Sequence, residues 1–82
     1  MDKLFDLTVI SQDAILYQGK VSAFFALFAG GSGQILAGHA PLAALTRPGN
    51  IKIVDREGKI ISLTIPSKGL FHFLSNKSAL IF

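Results

Sequence analysis

Two histidines, His39 and His72, are the side chains of this 82-residue sequence best suited to acid–base or metal chemistry near neutral pH. Neither has company. A zinc site needs about four ligands, and the chain has no cysteine and no carboxylate close in sequence to either histidine. His72 alternates with Phe71 and Phe73, which puts it on the opposite face of a strand. His39 stands in Gly38-His39-Ala40-Pro41-Leu42, where its expected role is a hydrogen bond inside a shaped loop. The acids Asp2, Asp6, Asp13, Asp55 and Glu57 fall at a terminus, on a strand and in turns, and the serines have no base beside them. Gly30-Gly31-Ser32-Gly33 invites comparison with a phosphate cradle, but no Gly-Lys-Ser or Gly-Lys-Thr follows and the next segment is not helical. It reads as a flexible turn or contact loop. No catalytic residue, metal site or cofactor is expected, so the chemistry left is that of contact.

The composition agrees. Hydrophobic residues make up 50% of the chain and charged ones 16%, the latter against about 25% in an average domain. A domain this small has much surface per residue, so part of the apolar surplus is expected to stay exposed, which marks a partner interface. The net charge of +3 comes from lysines and arginines scattered through turns; without a basic run, they read as solvated residues and not as a nucleic-acid patch. The longest apolar stretch, residues 21–29, is too short for a membrane-spanning helix of about 20 residues. The acidic, alternating segment before it is unlike a signal peptide.

The elements that must position these residues read as strands. Phe5, Leu7 and Val9 alternate with Asp6 and Thr8, as do Ile51 and Ile53 with Asn50 and Lys52, and Ile61, Leu63 and Ile65 with Ser62 and Thr64. Residues 14–17, 20–28, 34–36, 70–74 and 79–82 add further short strands. Asp55-Arg56-Glu57-Gly58, Pro66-Ser67-Lys68-Gly69 and Ser75-Asn76-Lys77 are turns. In the stretch from Gly38 to Gly49, glycine supplies unusual backbone angles and Pro41 and Pro48 fix φ. The expectation is one all-β domain over residues 1–82, a flattened β-sandwich or barrel of about ten short strands in two sheets.

In order and spacing, the chain resembles the N-terminal domain of the epsilon subunit of F-type ATP synthases, called delta in mitochondria. The likeness rests on Val9-Ile10-Ser11, Leu16-Tyr17, Gly19-Lys20-Val21, the run Ile35-Leu36-Ala37-Gly38-His39-Ala40-Pro41-Leu42, Arg47-Pro48-Gly49 with Ile51-Lys52-Ile53, Ser67-Lys68-Gly69 and Asn76-Lys77. It departs at Leu27-Phe28-Ala29-Gly30, where the family has proline-glycine and an acid, and at Gln34, Ala37 and Lys68, which replace a glycine, a proline and a glycine.

The resemblance implies a non-catalytic rotor subunit that links the gamma subunit to the membrane c-ring. Its place would be peripheral, on the cytoplasmic face of the bacterial inner membrane, held there only through the complex. It further implies c-ring contact through Gly31, Ser32, Gly33 and Gln34, and gamma contact around Ser11, His39, Ala40 and Leu42. Gly38, Pro41, Pro48 and Gly49 would be structural. Without the family's acid, the c-ring contact is expected to be backbone or apolar. No C-terminal helical hairpin is expected, since the chain stops at Phe82. The alternative is a small β-sandwich adaptor unrelated to ATP synthase. An enzyme would need a concave pocket holding His39 or His72.

Overall fold

The computed structural model describes residues 3–82 and builds them from strands joined by turns. The strands are β1 (Phe5–Ile10), β2 (Ile15–Phe28), β3 (Gly31–Leu36), β4 (Leu42–Thr46), β5 (Gly49–Asp55), β6 (Ile60–Ile65), β7 (Gly69–Leu74) and β8 (Lys77–Ile81). The all-β expectation holds. The described residues form eight strands and not about ten: the two segments expected to break at Gly19 run on as one strand of 14 residues, and Leu42–Thr46, within the stretch expected as a shaped connection, is itself a strand. Gly19 stays in register opposite Leu7, and Lys20 opposite Asp6, so nothing interrupts the ladder there.

β2 is the spine of the fold. Its first half pairs with β1, its second half with β3 on one side and β5 on the other, and Phe28 reaches Thr46 of β4. The β2–β5 register shifts between Val21 and Ala23, where the strand passes between layers; such an irregularity adds bend and twist. One layer is therefore β3-β2-β5-β6 and the other β2-β1-β8-β7-β4. Because β2 serves both, the two layers form one continuous hydrogen-bonded sheet. β1 and β8 pair in parallel. β6 ends the strand order, paired only with β5.

Period-two alternation fills the space between the layers. Phe5, Leu7 and Val9 of β1, Phe24 of β2, Ile51 and Ile53 of β5, Phe71 and Phe73 of β7 and Leu80 of β8 are buried together. Phe24 stacks on Phe71 at 4.9 Å, Phe28 meets Phe71 edge-on at 5.8 Å, and Phe5 meets Phe73 edge-on at 5.4 Å. With no cysteine to cross-link the layers, this aromatic centre holds them. Burial of each such side chain stabilises by roughly 2–3 kcal/mol.

The turns follow their residue types. Ser75 and Asn76 take φ 50° and 58°, the pair of left-handed conformations that a two-residue hairpin demands and that asparagine tolerates. The Asp55 carboxylate accepts the backbone N–H groups of Glu57 at 2.8 Å and Lys59 at 2.9 Å, closing the β5–β6 turn. His72 is exposed on the face opposite Phe71 and Phe73, as alternation predicts.

Candidate interaction surfaces

Ala29-Gly30 closes β2 and β3 into a hairpin whose tip is fastened to the β4–β5 connection. Ala29 N–H donates to Leu45 O at 2.9 Å and Arg47 N–H to Leu27 O at 2.8 Å. The Arg47 guanidinium donates to Ala29 O at 2.9 Å. Gly31, Ser32 and Gly33, expected in a flexible turn or contact loop, and Gln34, expected to begin a strand, are the first four residues of β3 and pair with Phe28, Leu27, Ala26 and Phe25. Gly31 takes φ 129°, a backbone conformation that favours glycine, whereas Gly33 serves packing. A Cβ on Gly33 would come within 2.6 Å of the Phe28 ring, which lies over it. Ser32, Gly33 and Gln34 form one wall of an open groove of about 650 Å³, with Phe25, Leu27 and Lys52 on its floor and far side.

The His39 loop is a braced turn. Gly38 takes φ 82°, and its N–H donates to the Asn76 side-chain oxygen at 2.7 Å. His39 N–H donates to Leu36 O at 3.2 Å. The His39 Nδ1 lies 2.7 Å from Ala40 O; a carbonyl only accepts, so Nδ1 carries the proton there. The ring meets Phe73 edge-on at 5.8 Å. Pro41 then leads into β4, where Leu42 is half-buried against the core. Valine at position 38 would be forced into left-handed backbone, a conformation costly for a β-branched residue. Gly38→Val is expected to cost about 2 kcal/mol, seen as a lower urea midpoint. An unchanged midpoint would mean the turn is not the brace described.

The structure does not gather the four residues expected at the gamma contact. His39, Ala40 and Leu42 cluster near Phe73 and Asn76, and Asn76 O accepts the N–H of Asp6 near the start of β1. Ser11 lies past the far end of β1, where it makes a turn with Ala14. At about 3.3 Å per residue, that places it roughly 15 Å farther along the strand.

At the Ser11 end of this face runs a feature that alternation alone does not expose. Leu45 pairs with Leu70, Leu70 with Ile81, Ile81 with Ile10, and Ile10 with Ile15. All five face outward. Leu45, Leu70, Ile81 and Ile15 are 62%, 44%, 46% and 57% exposed. They form an aliphatic row across five strands, about 19 Å long at the usual strand spacing. Each residue reads alone as an exposed aliphatic; only the register aligns them. Farther along the same face the surface turns polar, with Lys20 paired to Asp6 at 3.1 Å. That exposed pair contributes little to stability.

Among the described residues, no group of three histidines, cysteines or acids could hold a metal ion. Burial, with a smaller contribution from the Asp55 charge, pushes the Tyr17 hydroxyl above its ordinary value.

The comparisons agree with this architecture. The family model for the ATP synthase delta/epsilon chain, beta-sandwich domain, matches residues 4–80. The ATP synthase epsilon chain of Chlorobium limicola is 30% identical over 80 residues, covering 98% of this chain and 90% of that protein. The Acinetobacter baumannii epsilon chain is 42% identical over 50 residues, covering 61% of this chain and 36% of that one. Among solved structures, a chain of the Euglena gracilis mitochondrial ATP synthase (OSCP/F1/c-ring) superimposes with a TM-score of 0.88 at 25% identity. The match covers 95% of this chain but about half, 49%, of that one. A chain of the Tetrahymena thermophila ATP synthase central stalk/c-ring structure, at 14% identity and a TM-score of 0.74 over 93% of this chain and 60% of that one, shares the fold. With the match running from the first strand into the last, the chain belongs to the ATP synthase delta/epsilon-chain β-sandwich family.

Proposed function

We propose that the chain is a non-catalytic central-stalk subunit of an F-type ATP synthase, joining the gamma subunit to the c-ring so that ion-driven rotation passes through it as torque. The observation that carries this reading is the superposition of nearly the whole chain on a subunit of an F1/c-ring assembly. A body that transmits torque needs rigidity and two adhesive surfaces, and no chemistry of its own. The aromatic core and the continuous sheet supply the rigidity.

In this reading, Gly31, Ser32, Gly33 and Gln34 meet the c-ring through strand backbone and small side chains, without a charge pair. Ser11, His39, Ala40 and Leu42 bound the gamma surface. A partner that reaches from Ser11 to His39 along the outer face of β1, β8 and β7 would cover the part of the aliphatic row around Ile10, Ile81 and Leu70. The subunit would sit peripherally at the cytoplasmic face of a bacterial inner membrane, as part of the complex. Affinity purification of the tagged chain from its own membranes is expected to bring down gamma and c-ring subunits in stable complexes. Recovery of the chain without either subunit would refute the proposal and favour an unrelated adaptor.

A further inference from the structure

β6 pairs with β5 on one side and with no other strand among the described residues on its second side. Across the β5–β6 hairpin, Asp55 N–H donates to Lys59 O at 2.9 Å, which makes this opposed pair the hydrogen-bonded kind. Antiparallel ladders alternate, so Ile61, Leu63 and Ile65, opposite Ile53, Ile51 and Gly49, also turn their backbone groups toward β5. Ile60, Ser62 and Thr64 therefore direct theirs outward, where no strand meets them. An edge is commonly guarded by an inward charge, a proline or a bulge. Ile-Ile-Ser-Leu-Thr-Ile contains none of these. Ile61 and Leu63 face the core yet remain only partly buried, because the sheet stops there.

From this the geometry points to a two-fold homodimer in which β6 pairs antiparallel with β6 of a second molecule, centred on Ser62. The inference goes beyond the rotor reading and does not depend on it. Three constraints select the register. Side chains must keep to their own face, so opposed residue numbers must sum to an even number. The outward backbone groups of Ile60, Ser62 and Thr64 must meet one another. Pro66 has no N–H, so a register opposing it to Ile60 forfeits bonds at both ends. Centring on Ser62 satisfies all three, setting Ile60 against Thr64 and Ser62 against its own copy. It also sets Ile61 against Leu63, which extends both cores into one. Lys59 then lies opposite Ile65, so no like charges oppose along the strand.

The chain has no native cysteine, so single cysteines report cleanly. In the proposed register the two Ser62 Cα atoms lie about 5.5 Å apart, within the roughly 4.4–6.8 Å that a disulfide spans. The two Thr64 positions are about 14 Å apart. Under mild oxidation Ser62→Cys is expected to cross-link to a dimer and Thr64→Cys to stay monomeric. The wild type should show a sedimentation coefficient rising from monomer to dimer between about 10 µM and 1 mM, a range suited to a small interface. Ser62→Glu, exposed in the monomer and opposite Lys52 across the β5–β6 ladder, should abolish that rise with its melting temperature unchanged, because the two carboxylates would oppose each other at the dimer axis. A wild type that stays monomeric at the top concentration overturns the inference, as does cross-linking of Thr64→Cys in preference to Ser62→Cys.

Discussion

Phe71→Ala is expected to remove about 3–5 kcal/mol of stability, a large share of the roughly 4–12 kcal/mol available to a domain of this length. The reason is position as much as size. Phe71 is fully buried, and its ring is the one on which both layers converge, stacked on Phe24 and met edge-on by Phe28. Those partners belong to β2, the strand shared by both layers, so they cannot close the cavity without moving the spine. At about 4–8 °C per kcal/mol for a domain of this size, the melting temperature should fall by roughly 15–30 °C. His72→Ala, one residue along the same strand and exposed, should stay within about 0.5 kcal/mol of the wild type. Thermal unfolding followed by far-ultraviolet circular dichroism compares the two. Equal melting temperatures for these variants would contradict the account of the core.

The same contrast shows what was legible in the sequence. The inward set of β1, β5, β6 and β7 could be read from alternation, because hydrophobic burial acts on each strand separately. So could the turns at Asp55–Gly58 and Ser75-Asn76, whose residue types match their backbone angles. The continuity of β2 through Gly19 could not, since glycine ends a strand in one context and merely thins it in another; pairing with Leu7 decides. Gly30–Gly33 reads as a flexible turn or contact loop for a similar reason. The glycine at position 33 is there because Phe28 occupies the space of a side chain, a fact of tertiary packing. The aliphatic row was the least legible. Its members are scattered from Ile10 to Ile81 and meet only once five strands are set in register. The separation of Ser11 from His39 is likewise a matter of topology.

That row is the basis of the second large effect. Leu70→Gln combined with Ile81→Gln should leave the melting temperature nearly unchanged, since both side chains are already about half exposed and form no part of the core. Binding to the gamma subunit should weaken by on the order of 100-fold. Covering the exposed half of two aliphatic side chains contributes roughly 1 kcal/mol each. Leaving one of the two introduced amides desolvated without a partner costs about 1 kcal/mol more; together these amount to about 3 kcal/mol, a factor of 10 for every 1.4. Ile60→Gln supplies the control. Ile60 is 65% exposed, but it lies on β6, which pairs with β5 in the other layer. Titration of purified gamma subunit by calorimetry is expected to separate the double variant from both wild type and Ile60→Gln. If Ile60→Gln weakens binding as much as the double variant, generic surface hydrophobicity drives association. If neither does, gamma lies elsewhere and the row is not its seat. Selective loss in the double variant would tie the rotor contact to a surface that exists only through strand register.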